Sequence, residues 1–125
     1  MTQRINIPFI ELRWSKWYAW HDLKDKEKGF AETISPKPGV YEVKHRDQNE
    51  RLTIGMTNNL YQRVVKQLVR GKTAHSSGRR IRAKEDTATI VVRWALTDRP
   101  KAVEEELHIR HEKRFGRLPT YTEKT

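Results

Sequence analysis

Gly39-Val40-Tyr41-Glu42-Val43-Lys44 and, after a polar break, Arg51-Leu52-Thr53-Ile54-Gly55 form the stretch that decides how this chain folds. Val40 to Lys44 and Arg51 to Ile54 alternate or run apolar, and the intervening Arg46-Asp47-Gln48-Asn49-Glu50 is rich in turn formers, so the two segments read as an antiparallel hairpin. Working outward, Asn58 can cap a helix whose apolar positions Leu60, Val64, Val65 and Leu68 repeat at three and four residues, and Gly71 ends it. The segment from Thr73 to Glu85 is polar and basic, with Ser76-Ser77 able to start a short helix. Ala88 to Leu96 carries the β-branched run Thr89-Ile90-Val91-Val92, which predicts a buried central strand. Thr97-Asp98-Arg99-Pro100 then signals a helix that runs to about Phe115 and is closed by Gly116.

On the N-terminal side, Ser35-Pro36-Lys37-Pro38-Gly39 is a breaker cluster. Before it, Ile10, Trp14, Trp17, Tyr18 and His21 stand at helical spacing and predict an amphipathic helix over residues 9–23. Trp14 and Trp17 share the face of Ile10 and are assigned to packing. Trp20 lies off that face and is the candidate for stacking on a nucleobase. The order β-β-α-α-β-α gives an α+β fold, a small three-stranded antiparallel sheet flanked by helices, with an N-terminal helical extension. The extension occupies residues 1–37, the core domain 38–122 and a short tail 123–125.

Composition narrows the chemistry. The 125 residues suffice for one domain with a modest core. Lys and Arg total 26 against 16 acidic residues, a formal net charge of +10, and such an excess favours a polyanionic partner. Arg79, Arg80, Arg82 and Lys84 are the densest candidates for phosphate contact. There is no cysteine, so disulfides and thiolate zinc sites are excluded. His108 and His111 have a zinc-compatible spacing but lack a third ligand, and they read as part of a solvated basic face. No apolar run approaches the roughly 20 residues that span a bilayer, and Met1-Thr2-Gln3-Arg4 opens no signal-peptide core. A soluble, cytoplasmic protein with no membrane partner is the expectation.

Arg63 follows Gly55 by eight residues, inside the helical pattern. Together with Gly39-Val40-Tyr41 and Thr53-Ile54-Gly55, it resembles the signature of the GIY-YIG endonuclease family. In that family a hairpin carries two tripeptides, the next helix a catalytic arginine and a later helix a metal-binding glutamate. The resemblance covers about residues 38 to 122. It implies a metal-dependent DNA endonuclease using Mg²⁺ or Mn²⁺, and it gives individual residues their roles.

Tyr41 matches the first tyrosine, and Arg63 offers a guanidinium fork for two phosphate oxygens. Thr53 stands where the family usually has its second tyrosine. Its hydroxyl can hold a water but is not acidic enough to act as a phenolate-like base, so Tyr61 or Tyr41 itself is the substitute. His75 resembles a histidine of the homing-endonuclease branch, and a neutral imidazole there can take a proton from water. The metal ligand is sought in Glu104-Glu105-Glu106, whose side chains fan out about 100° apart, so that only one can face the hairpin. Ala102 four before it, and Ile109 and Arg110 three and four after it, select Glu106, with Glu105 next. The remaining carboxylates then favour only the helix dipole. The family's terminal asparagine has no counterpart in Leu118-Pro119-Thr120-Tyr121-Thr122, where Thr120 or Thr122 could replace one hydrogen bond. These departures define the alternative, a catalytically impaired nucleic-acid-binding module of the same fold.

Overall fold

The computed structural model describes residues 2–4, 10–71 and 76–122, with backbone alone at 2–4 and 76. Its centre is the expected hairpin: strand β4 (Gly39–His45) pairs antiparallel with β5 (Thr53–Thr57), setting Tyr41 opposite Gly55 and Val43 opposite Thr53. Strand β6 (Ile90–Leu96) lies on the other side of β4, with Tyr41 opposite Trp94. The fold class is α+β, as the periodicity predicts.

The sheet has four strands, not three. The N-terminal region contributes β2 (Glu11–Arg13), which pairs with β1 (Thr2–Arg4), and β3 (Tyr18–Ala19), which pairs with β6. The strand order is β3-β6-β4-β5, so among the described residues no strand lies outside β5. The predicted helix over 9–23 shrinks to α1 (Trp20–Lys24). The reason is visible in residues 10–16, where Leu12 and Trp14 are buried between polar neighbours. That is a period of two, and it competes successfully with the helical spacing of the aromatics. Ser15 fixes the segment to the sheet, its N–H donating to the Trp94 carbonyl (2.8 Å) and its hydroxyl accepting from the Trp94 N–H (3.0 Å).

Each face of the sheet is covered. On one, Tyr41, Val43, Val92 and Trp94 pack with Trp20 and Leu23 and with Leu60, Val64, Val65, Leu68 and Ile81. On the other, Val40, Ile54 and Ala95 meet Leu12, Trp14 and, from helix α3 (Pro100–Phe115), Val103 and Leu107. Gly116, at φ 77°, closes α3 with its N–H on the Glu112 carbonyl (2.8 Å). Such a left-handed residue is strained for any side chain but glycine's lone hydrogen.

The helix after β5, Tyr61–Val69, is a π-helix. Its cap is Asn59, not Asn58: the Asn59 Oδ1 accepts from the Gln62 N–H (3.0 Å). The first N–H groups find carbonyls in the breaker segment, Leu60 on Lys37 (3.0 Å) and Tyr61 on Ser35 (3.1 Å), which satisfies donors a helix leaves orphaned. At the other end the Arg82 guanidinium, from α2 (Ser76–Lys84), donates to the carbonyls of Gln67 (3.1 Å) and Leu68 (2.6 Å). No helix among the described residues is long and apolar enough to cross a membrane.

Candidate functional site

A small cleft of about 40 Å³ opens around the edge strand β5, lined by Tyr41, Thr53, Gly55, Arg63, Ser77, Glu104 and His108 together with Ile54 and Met56. Edge position matters here, because only a strand without an outer neighbour lets side chains from both faces of a sheet meet beside it. Tyr41 and Arg63 come from the π-helix face, Glu104 and His108 from α3 on the other. The Tyr41 ring is buried and lies across Gly55, where any added Cβ would overlap the phenol. The glycine of the second tripeptide is therefore required by the tyrosine of the first.

The Arg63 Nε is buried and has no hydrogen-bond partner among the described residues, a state shared by Arg70 and Arg80, but of the three only Arg63 lines the cleft. A buried donor left unpaired costs free energy, and such groups recur where a ligand completes them. Across the cleft, Glu104 and His108 stand one helical turn apart on α3. His108 donates from Nε2 to the Ile54 carbonyl (3.0 Å), so in the neutral ring Nδ1 carries the lone pair.

The carboxylate that lines the cleft is Glu104, whereas the sequence pointed to Glu106. Glu106, about 200° further round the helix, pairs with Arg110 at 3.2 Å (i, i+4). Glu105 is exposed. The helix is phased by Val103 and Leu107, which bury against the sheet, and His111 continues that stripe one turn on. Glu104 and His108 flank the stripe on the side of β5. That apolar phase was the available signal, and it outweighs the spacing to Ile109, which is exposed.

Thr53 has a different task from the one its position suggests. Its hydroxyl donates to the Tyr121 carbonyl (3.1 Å), and Ser77 donates to the same oxygen (3.0 Å). Tyr121 also donates its N–H to the Leu52 carbonyl (2.7 Å), so the segment after α3 straps across the start of β5. The Thr122 hydroxyl donates to the Pro119 carbonyl (2.6 Å). The Tyr121 hydroxyl donates to Glu85 (2.5 Å), whose second oxygen meets His45 Nε2 at 2.7 Å. The Tyr121 and His45 hydrogen bonds hold the Glu85 carboxyl below its usual range. Burial, with the Glu85 hydrogen bond, pushes the Tyr121 phenol up to about 12. Tyr61 packs against the core beside Lys66 and does not line the cleft. His75 lies outside the described residues.

The basic residues divide. Arg79 and Lys84 are exposed, and Arg80 lies over the Tyr121 ring (5.5 Å). Arg82 is turned inward onto the π-helix carbonyls, and burial lowers its pKa. Trp20 is 1 % exposed and sits in the core, so it has no face for a base. Two other indoles meet cations, Trp14 with Arg93 at 4.1 Å and Trp17 with Arg93, Lys44 and Arg51 at 4.5, 4.8 and 5.1 Å. His111 is buried rather than solvated: Nε2 accepts from the Arg51 N–H (3.1 Å) and Nδ1 donates to the Arg117 carbonyl (2.8 Å). Both ring nitrogens are occupied, which removes it as a metal ligand.

Among the described residues no three histidine, aspartate or glutamate side chains gather as a metal cluster. The cleft offers one carboxylate, Glu104, beside one imidazole. That donor set suits a hard divalent cation that keeps most of its waters, and it does not suit a closed zinc site. Met56, Ser77, Glu104 and His108 are cleft residues that sequence reasoning did not assign there. In comparisons with protein-family models, curated proteins and solved structures, nothing matched the chain.

Proposed function

We propose that the cleft binds a DNA phosphodiester and hydrolyses it with the help of a divalent cation. The observation that carries this reading is the buried, unpartnered Nε of Arg63 in one cavity with Tyr41, Glu104 and His108. A guanidinium in that state is poised for an anion, and the net charge of +10 favours a polyanionic one.

Glu104 would hold the cation. Bound there, Mg²⁺ or Mn²⁺ would offset charge on the phosphoryl oxygens and acidify a water. Arg63 clamps the phosphate and stabilises the charge that grows on its oxygens as the nucleophile adds. His108 accepts the water's proton on Nδ1, its orientation held by the Nε2 bond to Ile54. The water oxygen bonds to phosphorus as the bond to the leaving sugar oxygen breaks, and that oxygen takes a proton from solvent. Tyr41, braced over Gly55, sets the position of the phenol relative to the phosphate. Thr53 takes no proton in this scheme, since its own proton is committed to Tyr121.

That same commitment favours a second reading, a DNA-binding module of this fold without turnover. Plasmid cleavage with Mg²⁺ and with chelator separates the two. Glu104→Gln should abolish cleavage at any practical Mg²⁺ concentration, and Glu106→Gln should cut nearly as well as the parent. Equal cleavage by all three proteins would remove the assigned metal ligand, and no cleavage by the parent would leave the binding module.

A further inference from the structure

Next to the cleft, and sharing Met56 and Arg63 with it, lies a wider and more open pocket of about 300 Å³. Four side-chain amides line it, Asn58, Asn59, Gln62 and Gln67, and Arg63 is its one charged lining residue. Asn59 is held as the helix cap, and Thr57 Oγ1 accepts from its backbone N–H (3.0 Å). The side-chain amides of Asn58, Gln62 and Gln67 make no hydrogen bond to the described residues. Gln62 and Gln67 project from the π-helix, a helix form that recurs at functional sites.

The chemistry of this lining is selective. A phosphate or polyphosphate calls for cations, and a purely apolar ligand would strand the amides. A carboxamide presents a donor and an acceptor side by side, which matches the N6 and N7 edge of adenine in a two-bond pair. The volume lies at the lower end of small-ligand sites. Its sharing of Arg63 with the cleft sets it beside the phosphate, where the base of the same or the next nucleotide must lie.

We infer that the amides lining this pocket read the major-groove edge of the base adjacent to the phosphate held by Arg63, and that they favour adenine. The inference rests on the proposed phosphate site but not on hydrolysis. A DNA duplex library randomised over a few positions, bound in the presence of chelator so that nothing is cut, measures it directly. The parent protein should enrich adenine at one position by about tenfold. The Gln62→Ala/Gln67→Ala double variant should lose that preference while its affinity for duplexes without adenine at that position stays within about twofold. Gln67→Glu supplies a second measure, because a carboxylate only accepts, and the preference should move from adenine towards cytosine, whose N4 amino group donates.

A parent protein without base preference, or a preference that survives in both variants, overturns the pocket. Preference that is present and lost in the variants, from a protein that never cuts plasmid, upholds the pocket and ends the nuclease reading. Plasmid cutting with no base preference does the reverse.

Discussion

Two groupings of arginine and glutamate, Glu42 with Arg51 and Arg93 and, at the β5 edge, Arg63 with Glu104, are built in opposite ways. In the first, Glu42 is 4 % exposed and accepts from Arg51 Nε (3.1 Å) and Arg93 Nε (2.8 Å). The Arg93 guanidinium also lies 4.1 Å from the centroid of Trp14. In the second, Arg63 keeps a buried Nε without a partner among the described residues, with Glu104 lining the same cleft. A buried carboxylate closed off by two guanidiniums is a structural element. A half-buried arginine whose Nε finds no partner among the described residues is open to a ligand.

The largest effect that this contrast predicts is on stability. Glu42→Ala leaves Arg51 and Arg93 facing each other without their counter-charge, and removing one partner of a buried pair costs about 3 kcal/mol or more. A denaturant midpoint that falls by the corresponding amount is the expected result. A variant as stable as the parent would mean that the two groupings do not differ in kind.

Arg63→Ala should behave the other way. It removes an unpaired buried donor, so the fold should hold or gain slightly, while cleavage should drop on the order of 100-fold or more through loss of a preorganised charge-stabilising group. Measured together, plasmid cleavage and thermal unfolding sharpen the comparison. Loss of stability with activity retained would exchange the roles of the two groupings.

The smallest effect is a pH dependence at the closed grouping. Burial pushes the His111 pKa below 6.5, against the opposing pull of the Arg117 carbonyl and of Glu50. Between the folded and unfolded values the unfolded chain binds more protons, so stability rises with pH and is lost as pH falls below about 6.5. His111→Gln should flatten the unfolding midpoint between about pH 7 and pH 5. Glu85, whose carboxyl is held low in the fold, loses its contribution only in more acid solution. An identical slope in parent and variant would show that His111 keeps its proton equilibrium unchanged on folding.

The hairpin, β6, and both ends of α3 were legible because each is written in local pattern: alternation, a β-branched run, a proline near the first turn and a glycine after the last. Tyr41 and Arg63, to which the spacing around Gly55 pointed, both line the cleft. Trp20 and Arg82 were misplaced for one shared reason. Local spacing assigns an aromatic or a charge to a face, but the partner that buries it comes from a distant segment, as when Arg82 reaches back to the carbonyls of Gln67 and Leu68.

By itself, then, the sequence determined the element types, the pairing of β4 with β5, the glycine beneath Tyr41 and the excess of positive charge. Tertiary structure alone decided the fourth strand, the strap that engages Thr53 from 68 residues away, and which of three consecutive glutamates meets the cleft. The physical reason is that rotation of a helix about its axis is set by the apolar stripe that the sheet accepts. Val103 and Leu107 turn α3 so that Glu104 and His108 face the edge strand, and Glu106 is carried round to Arg110.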